Sequence, residues 1–512
     1  MIRTFRNLGR LFRVFVTFTR HDALFVLDGL GVSPGALRLL KFAALRREAG
    51  STPRQGENLR AALHALGPAF IKLGQALSCR PDIVGEEVAA DLADLQDKLP
   101  PFDGAVAIKI IEAELARPLA TCFARFEDRP VAAASIAQVH FAETADGREV
   151  AVKVLRPGIE AAFARDLDLL TWLAERIEAM WPATRRLRPI AVVDAFAESV
   201  AVEMDLRMEA AAAAELGRNF AGDPDYRVPE VDWTRTARHV LTIERISGLP
   251  IDERAALIAA GHEPRQIVAR AGRIFFKQVF RDGFFHADQH PGNMFVEPSG
   301  RIVAVDFGIM GRIDQDTRFY LATMLAGFLE GDYRRVAEVH FRAGYVPTHK
   351  SMESFAQACR AIAEPILGRP MKEISLARLL AQLFQVTETF EMETQPQLLL
   401  LQKTMLVAEG VGRRLDPTVN MWLLARPLIE EWMSETQGVE TRLREVASDV
   451  VAQIGGLPVF VRNVGKAAAQ LANGGVRLDP DSLRALGAGA RPWPWGWILA
   501  AAAIGALIAS AN

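Results

Sequence analysis

The chain reads HADQHPGN at residues 286–293 and DFG at residues 306–308, with an apolar run at 302–305 directly before the second motif. A proline and a glycine inside the first motif indicate a loop, and the apolar run indicates a short strand. In phosphoryl-transfer sites such a loop supplies an aspartate that orients the acceptor and, five residues later, an asparagine that ligates metal, while the DFG aspartate binds Mg²⁺. The spacing therefore predicts Asp288 as a catalytic residue and Asn293 and Asp306 as Mg²⁺ ligands.

A strand-like segment lies upstream, where VAVK at residues 150–153 ends in Lys153. This arrangement aims an ammonium group at the α- and β-phosphates of ATP. Lysines at strand ends are also common on surfaces, but lysine strand, acidic helix, Asp/Asn loop and DFG follow one another in the order that a kinase fold requires. The acidic helix contains Glu203, Asp205 and Glu209. We expect Glu209 to form the ion pair that holds Lys153, although acidic side chains on a helix are often only a solvated face.

The composition argues against several other classes of protein. With 512 residues, half of them hydrophobic and 24% charged, the chain can bury a large core in two or three compact units. The net charge of -2 gives no reason to expect nucleic acid binding. Cys79, Cys122 and Cys359 lack CxxC spacing, which argues against a disulfide framework and a structural zinc site and favours a reducing, cytosolic environment. His286 and His290 are not expected to bind zinc, because they lie on a loop rather than a helix.

The first 20 residues have the pattern of a basic amphipathic helix. Within the first 60 residues, 11 are Lys or Arg and 4 are Asp or Glu. An interfacial helix of this kind buries its apolar face in the headgroup boundary and places its arginines against lipid phosphate. A mitochondrial transit peptide and a surface helix packed on the domain remain alternatives. The apolar face comprises Met1, Phe5, Leu8, Phe12 and Phe15, and the basic face comprises Arg3, Arg6, Arg10 and Arg13.

The C-terminal tail differs in kind, because no charged residue follows Arg491 and residues 493–511 are apolar apart from Ser510. This pattern predicts a transmembrane helix with Arg491 on the cytoplasmic side and three tryptophans at one interface. At about 1.5 Å per residue, roughly 17 residues would span about 25 Å, slightly less than a hydrocarbon core of about 30 Å. A buried or disordered tail is the alternative.

Between these ends the pattern predicts an α+β chain. Helices are expected at 59–99 and 104–116, a β-hairpin at 138–143 and 149–155, and a long alanine-rich helix from Pro189 to about 219. Beyond 264 the sequence is mainly helical, with short strand-like runs at 294–296 and 302–305.

Several motifs outside the Asp/Asn loop resemble those of the UbiB family of atypical kinases, and the resemblance runs from about residue 5 to the tail. Lys72-Leu73-Gly74-Gln75 is similar to the family's KxGQ motif, residues 132–139 (AAASIAQV) to its alanine-rich nucleotide loop, and residues 203–205 (EMD) to its ExD motif. Residues 78–82 (SCRPD) and 95–97 (LQD) are also similar to family segments. Gln289 and Ala212 depart from the usual pattern, which often has proline and asparagine at these positions.

The resemblance implies roles for individual residues. It implies catalytic roles for Asp288, Lys153 and Lys72, with Lys72 and Gln75 directed toward the nucleotide site and Glu203. Because each alanine of the loop carries a Cβ, the nucleotide should sit differently from its position over a glycine-rich loop. The helical extension is expected to cover the groove where a protein substrate would lie. The nucleotide-binding residues implied are Ala132, Ala133, Ala134, Ser135, Ile136, Ala137, Gln138, Val139, Lys153 and Glu209.

The expected fold is α+β and protein-kinase-like, with a small β-containing N-lobe, a mainly helical C-lobe, a helical KxGQ extension and a C-terminal transmembrane helix. The expected domains are a membrane-surface helix (1–30), the KxGQ extension (31–120), the N-lobe (121–250), the C-lobe with both catalytic loops (251–475) and the transmembrane segment (493–511).

The expected function is that of a membrane-associated kinase or ATPase that uses ATP and Mg²⁺ in ubiquinone (coenzyme Q) biosynthesis and acts on or senses a small isoprenoid lipid. The expected partners are membrane lipid, isoprenoid quinone precursors and ubiquinone biosynthesis enzymes, at the cytoplasmic side of a bacterial inner membrane. A protein kinase and a nucleotide-switched scaffold are the alternatives, and the oligomeric state is left open.

Overall fold

The computed structural model describes residues 2–25, 54–78, 84–93, 95, 99–180, 189–365, 382, 385–387, 389–392, 396–418, 427–429 and 432. The predicted transmembrane segment at 493–511 lies outside these residues. Among the helices within them, none is long and apolar enough to cross a bilayer.

An antiparallel sheet forms the core of the smaller lobe. Its strands run in the order β1-β3-β4-β6, and β2 pairs with the outer side of β3. The predicted hairpin is present: β3 pairs with β4 along its whole length, and Lys153 of β4 lies between Val139 of β3 and Leu241 of β6. Alternate residues of β4, among them Val150, Val152 and Val154, are buried, as expected of a strand packed on one face. The strands are β1 Phe123–Phe126, β2 Ala132–Ala133, β3 Ala137–Thr144, β4 Glu149–Leu155 and β6 Val240–Glu244.

Helices precede this sheet in the sequence and also connect β4 to β6. The extension packs on helix α7 through a cluster of buried apolar side chains that includes Leu59, Leu63, Phe70, Leu92 and Trp172. The helices of this part are α2 Gln55–Leu66, α3 Pro68–Ser78, α4 Glu86–Ala93, α5 Gly104–Leu115, α6 Leu119–Cys122, α7 Ile159–Met180, α8 Pro189–Glu203 and α9 Leu206–Asn219.

The long helix predicted from Pro189 to about 219 is wrong in one respect, because it is broken into α8 and α9. The break falls at Asp205, whose backbone is extended and whose side chain accepts a hydrogen bond from the Arg207 N–H. An aspartate in this conformation caps the N-terminus of a new helix rather than continuing the old one. The Leu206 N–H donates to the carbonyl of Arg238, which ties the break to the end of the sheet.

The larger lobe is mainly helical and carries short strands. Strands β5, β10, β9 and β7 form one sheet in that order, and β8 pairs with β11. The strands are β5 Tyr226–Arg227, β7 Leu249–Pro250, β8 Phe284–His286, β9 Met294–Val296, β10 Ile302–Ala304 and β11 Met310–Arg312. The helices are α10 Arg254–Ala259, α11 Pro264–Phe276, α12 Gln315–Glu330, α13 Tyr333–Arg342, α14 Met352–Ala363 and α15 Pro396–Leu415.

Helix α1, Ile2–Arg20, carries the predicted basic residues, and three of them, Arg3, Arg6 and Arg10, contact α7. Arg3 Nε donates to Asp168 Oδ1 of α7 at 2.7 Å, and Arg6 Nη2 donates to Asp168 Oδ2 at 2.6 Å. Both arginines pair with the Asp168 carboxylate and remain partly exposed, at 43% for Arg3 and 57% for Arg6, so their contact with lipid phosphate stays a prediction. Three large apolar side chains of the predicted apolar face are also exposed, namely Phe5, Leu8 and Phe12.

Candidate active site

The predicted ion pair between Lys153 and Glu209 is present at the centre of the site. Lys153 Nζ lies 2.8 Å from Glu209 Oε1 and 2.9 Å from Glu209 Oε2, and it also lies 3.2 Å from Asp306 Oδ1. The side chains of Lys153 and Glu209 are 14% and 8% exposed, whereas that of Asp306 is 46% exposed. One ammonium group thus joins the sheet, helix α9 and the DFG segment, and the carboxylate that remains accessible belongs to Asp306.

These charges shift one another's pKa values in different directions. Desolvation lowers the pKa of Lys153, but the charges of Asp306 and Glu209 outweigh it and raise the pKa above its ordinary value. Desolvation raises the pKa of Glu209, and the charge of Lys153 offsets this only in part. Desolvation opposes the ionisation of Asp306 too, yet the charges of Lys153 and Lys72 lower its pKa to about 2. Asp306 therefore stays charged at neutral pH, as a metal ligand must.

The ExD segment positions Glu209 through the helix break described above. Asp205 caps α9, and Glu209 lies in the first turn of that helix, where the positive end of the helix dipole favours a carboxylate. Because α9 begins at the break, Glu209 lies four residues after the capping residue, Asp205.

Glu203, the first acidic residue of the ExD segment, forms an ion pair with Lys72 of the KxGQ motif. Lys72 Nζ lies 3.0 Å from Glu203 Oε2, and the two side chains are only 10% and 12% exposed. Helix α3 reaches this point because Ala69, one turn earlier, is buried in the same apolar core as the end of β4. The expected proximity of Lys72 to Glu203 is confirmed, and the charge of Lys72 acts on Asp306 as well.

The hairpin of β9 and β10 brings the two predicted metal ligands together. Ala304 pairs with Met294, and the Val305 N–H donates to the carbonyl of Asn293 at 2.9 Å. Asn293, directly before β9, and Asp306, two residues after β10, therefore lie at the same open end of one hairpin. Asp306 has a φ of 62°, a left-handed conformation that aspartate tolerates better than most residues.

The loop 286–293 orients the amide of Asn293. Its Nδ2 donates to the carbonyl of Asp288 at 3.1 Å and to Asp288 Oδ2 at 3.3 Å. Because Nδ2 is directed at Asp288, Oδ1 is the end of the amide that can ligate a cation. One carboxylate and one amide oxygen are the hard ligands that Mg²⁺ uses when phosphates complete its coordination. These residues fit Mg²⁺.

His286 is a structural member of this loop. It is fully buried, and burial lowers its pKa, so it is neutral. Its Nδ1 accepts from the Asp288 N–H at 3.2 Å, which assigns the proton to Nε2, and Nε2 donates to the carbonyl of Val305 at 3.2 Å. His290 Nδ1 accepts from the Gly292 N–H. Both imidazoles therefore serve the backbone of the loop.

The alanine-rich loop turns between β2 and β3, and its residues 135–138 are buried. Ser135 and Gln138 are fully buried, and Ile136 and Ala137 belong to the main core. Gln138 holds the backbone of Phe102 rather than facing the cleft, since its Nε2 donates to the Phe102 carbonyl at 3.2 Å. The nucleotide-binding role of the eight loop residues stays a prediction.

Three residues near the site were not found from the sequence. Thr404 of α15 donates to the carbonyl of Ala287 at 3.1 Å, directly before Asp288. Gln278 Oε1 accepts from the His286 N–H at 2.9 Å and lies in a π-helical segment, Lys277–Asp282, that continues α11. Arg156 binds the alanine-rich loop. No local pattern marks these residues, because their partners lie 8, 22 and 117 residues away along the chain.

A small sheet with a buried lysine–glutamate pair, a helical lobe with an Asp/Asn loop and a DFG aspartate together define a kinase-like protein. Residues 94–340 match the ABC1 atypical kinase-like domain, and residues 359–420 match the UbiB helical domain. The chain belongs to the UbiB family of atypical kinases.

Two relatives named as UbiB proteins support the family assignment over most of the chain. A protein of Marinobacter nauticus named "Probable protein kinase UbiB" is 41% identical over 477 residues, covering 92% of this chain and 86% of that protein. The protein of the same name from Xanthomonas axonopodis pv. citri is 44% identical over 451 residues, with 86% and 80% covered. Among solved structures, the Rv3197–erythromycin complex from Mycobacterium tuberculosis matches with a TM-score of 0.49 and 27% identity, covering 77% of this chain and 97% of that chain.

Proposed function

We propose that this protein binds Mg-ATP in the cleft between the lobes and transfers or releases the terminal phosphoryl group. The observation that carries the proposal is the contact of Lys153 Nζ with both Glu209 and Asp306. A phosphate-binding lysine held by a buried carboxylate, beside a charged DFG aspartate, is the arrangement that phosphoryl transfer requires.

Each residue has a defined part in this proposal. Glu209 fixes Lys153 so that its ammonium group can bind nucleotide phosphate, and Asp288 orients the attacking oxygen. Asn293 and Asp306 would hold Mg²⁺, which when bound neutralises charge on the phosphate oxygens. Asn293 also fixes Asp288 through its Nδ2, so the acceptor-orienting and metal-binding groups are positioned together.

The position of Lys72 favours a small acceptor or water over a protein. Helix α3 of the extension places this lysine beside Glu203, close enough to Asp306 for its charge to lower that pKa. A protein segment entering the site would have to displace a nearly buried ion pair. We therefore propose a small isoprenoid lipid or quinone precursor as the molecule acted on or sensed, in support of ubiquinone biosynthesis.

The test is Mg-ATP turnover by the full-length protein and its Asp306→Asn variant. Turnover should be lost in the variant, because a neutral amide binds Mg²⁺ poorly. The control is Asp316→Asn, which changes an exposed carboxylate outside the cleft and should leave turnover unchanged. Equal turnover in wild type and Asp306→Asn would show that the metal assignment is wrong. Quinone levels in a deletion strain complemented with either gene test the pathway.

We further propose that the exposed side of α1 meets the cytoplasmic surface of a bacterial inner membrane. Phe5 is 74% exposed, Leu8 47% and Phe12 68%, and they recur at helical spacing. Three large apolar side chains on one helix face suit the headgroup boundary of a bilayer. The double variant Phe5→Ser/Phe12→Ser should lose cosedimentation with vesicles that contain anionic lipid, whereas Ile258→Ser, another exposed apolar residue, should not. Equal cosedimentation of the double variant would contradict the proposal.

A further inference from the structure

Arg156 makes four hydrogen bonds to backbone carbonyls of two separate segments. Nε and Nη2 donate to the carbonyl of Ala134 at 3.0 and 2.8 Å, in the alanine-rich loop. Nη1 donates to the carbonyl of Pro100 at 2.9 Å, and Nη2 to that of Leu99 at 3.3 Å. The guanidinium group therefore binds the loop on one side and the segment before α5 on the other.

The backbone of Arg156 fixes the same loop. Its N–H donates to the carbonyl of Ile136 at 2.8 Å, and the turn is closed by the Ala134 N–H, which donates to the carbonyl of Ala137 at 2.8 Å. Arg156 directly follows β4, three residues after Lys153. The position of the loop and the position of the lysine are thus set from one strand end.

The segment 99–102 lies within the residues assigned above to the KxGQ extension, 31–120, and Arg156 binds its backbone. Gln75 of the KxGQ motif donates from Nε2 to the carbonyl of Leu95 at 3.4 Å, four residues before Leu99. Phe102 is held by Gln138, which accepts from its N–H at 3.0 Å and donates to its carbonyl at 3.2 Å. Arg156 therefore binds the start of 99–102, and Gln138 of the alanine-rich loop binds its end.

We infer that Arg156 is a positioning residue that couples the KxGQ extension to the nucleotide loop. By holding Ala134 and the segment 99–102 on one guanidinium group, it sets how closely the loop approaches the phosphates. The inference rests on the proposed function, because it assigns a consequence for Mg-ATP binding. Lysine cannot replace arginine here, since a single ammonium group lacks the planar fork that reaches carbonyls on two sides.

The experiment compares wild type, Arg156→Lys and Arg156→Ala in the full-length protein, with Arg245→Lys as the control. Arg245 lies at the opposite end of β4, where its side chain pairs with Glu149 and stacks on Phe141. Two quantities are measured: KM and kcat for Mg-ATP, and amide hydrogen exchange of peptides covering 99–102 and 132–137 without nucleotide. The lysine variant keeps the test valid if the alanine variant does not fold.

For Arg156→Lys we expect KM to rise about tenfold, with kcat changed far less. The reason is that the substitution removes the equivalent of about one charge-assisted hydrogen bond to the loop. Exchange should accelerate in both peptides, and Arg245→Lys should change neither quantity. Unchanged exchange in 132–137, or faster exchange with an unchanged KM, would overturn the inference. Absence of turnover in the wild type would contradict the proposed function alone, because the exchange measurement still tests the coupling.

Discussion

Replacing Glu209 with glutamine tests the buried ion pair with little change in shape. The variant removes the charge that Lys153 contacts at 2.8 and 2.9 Å, while the Asp306 carboxylate remains 3.2 Å away. Breaking a buried ion pair from one side costs about 3–5 kcal/mol. Because Asp306 still compensates Lys153 and the amide can still accept a hydrogen bond, we expect a loss of about 3 kcal/mol in the free energy of unfolding.

The assay is urea-induced unfolding of the full-length protein without nucleotide. Glu215→Gln is the matched control on the same helix, because it removes a more exposed ion pair, with Arg312, and should cost at most about 1 kcal/mol. In Glu209→Gln, Lys153 is left to pair with Asp306 alone, so Mg-ATP turnover should fall as well. If Glu209→Gln destabilises the protein no more than Glu215→Gln does, the argument that this pair organises the site is refuted.

Three further predictions concern the groups around this pair. Asp205→Ala removes the cap of α9 and should lower the free energy of unfolding by about 1 kcal/mol. It should also raise the KM for Mg-ATP, and an unchanged KM would show that the cap does not determine the position of Glu209. Thr404→Val removes the hydrogen bond to the Ala287 carbonyl and should lower the free energy of unfolding by about 1 kcal/mol and also lower kcat. Equal kcat values for the variant and the wild type would show that α15 does not support the loop 286–293. The pKa of Asp306 lies below its ordinary value of 3.8, so its ionisation stabilises the fold above about pH 4 and this contribution is lost as pH falls toward 2. The difference in unfolding midpoint between wild type and Asp306→Asn should therefore shrink over that range, and a constant difference would contradict the shift.

The central groups could be predicted from the sequence because local spacing determines them. Asp288 and Asn293 share one loop. The DFG aspartate follows an apolar strand, β10, which pairs antiparallel with β9, the strand directly after that loop. The hairpin that carries Lys153 was equally visible, since apolar residues alternate on both sides of a glycine turn. Glu209 followed from the order of the elements.

Other features depend on contacts between residues far apart in the chain. Periodicity defined the two faces of α1 but not the contacts of its arginines, because these depend on Asp168 of α7. The alanine-rich stretch around residue 205 has high helix propensity, and only the cap by Asp205 and the bond to Arg238 break it. Arg156 and Thr404 bind backbone carbonyls. Because every residue has a carbonyl, no sequence motif identifies these contacts.

The most direct test of the metal and nucleotide site is calorimetric titration of ATP into the protein with and without Mg²⁺. We predict that Mg²⁺ tightens ATP binding to the wild type and that this effect disappears in both Asn293→Ala and Asp306→Asn, while Asp316→Asn behaves as the wild type. An equal effect of Mg²⁺ on all four proteins would contradict the assignment of these two residues as the ligands of the nucleotide-bound cation.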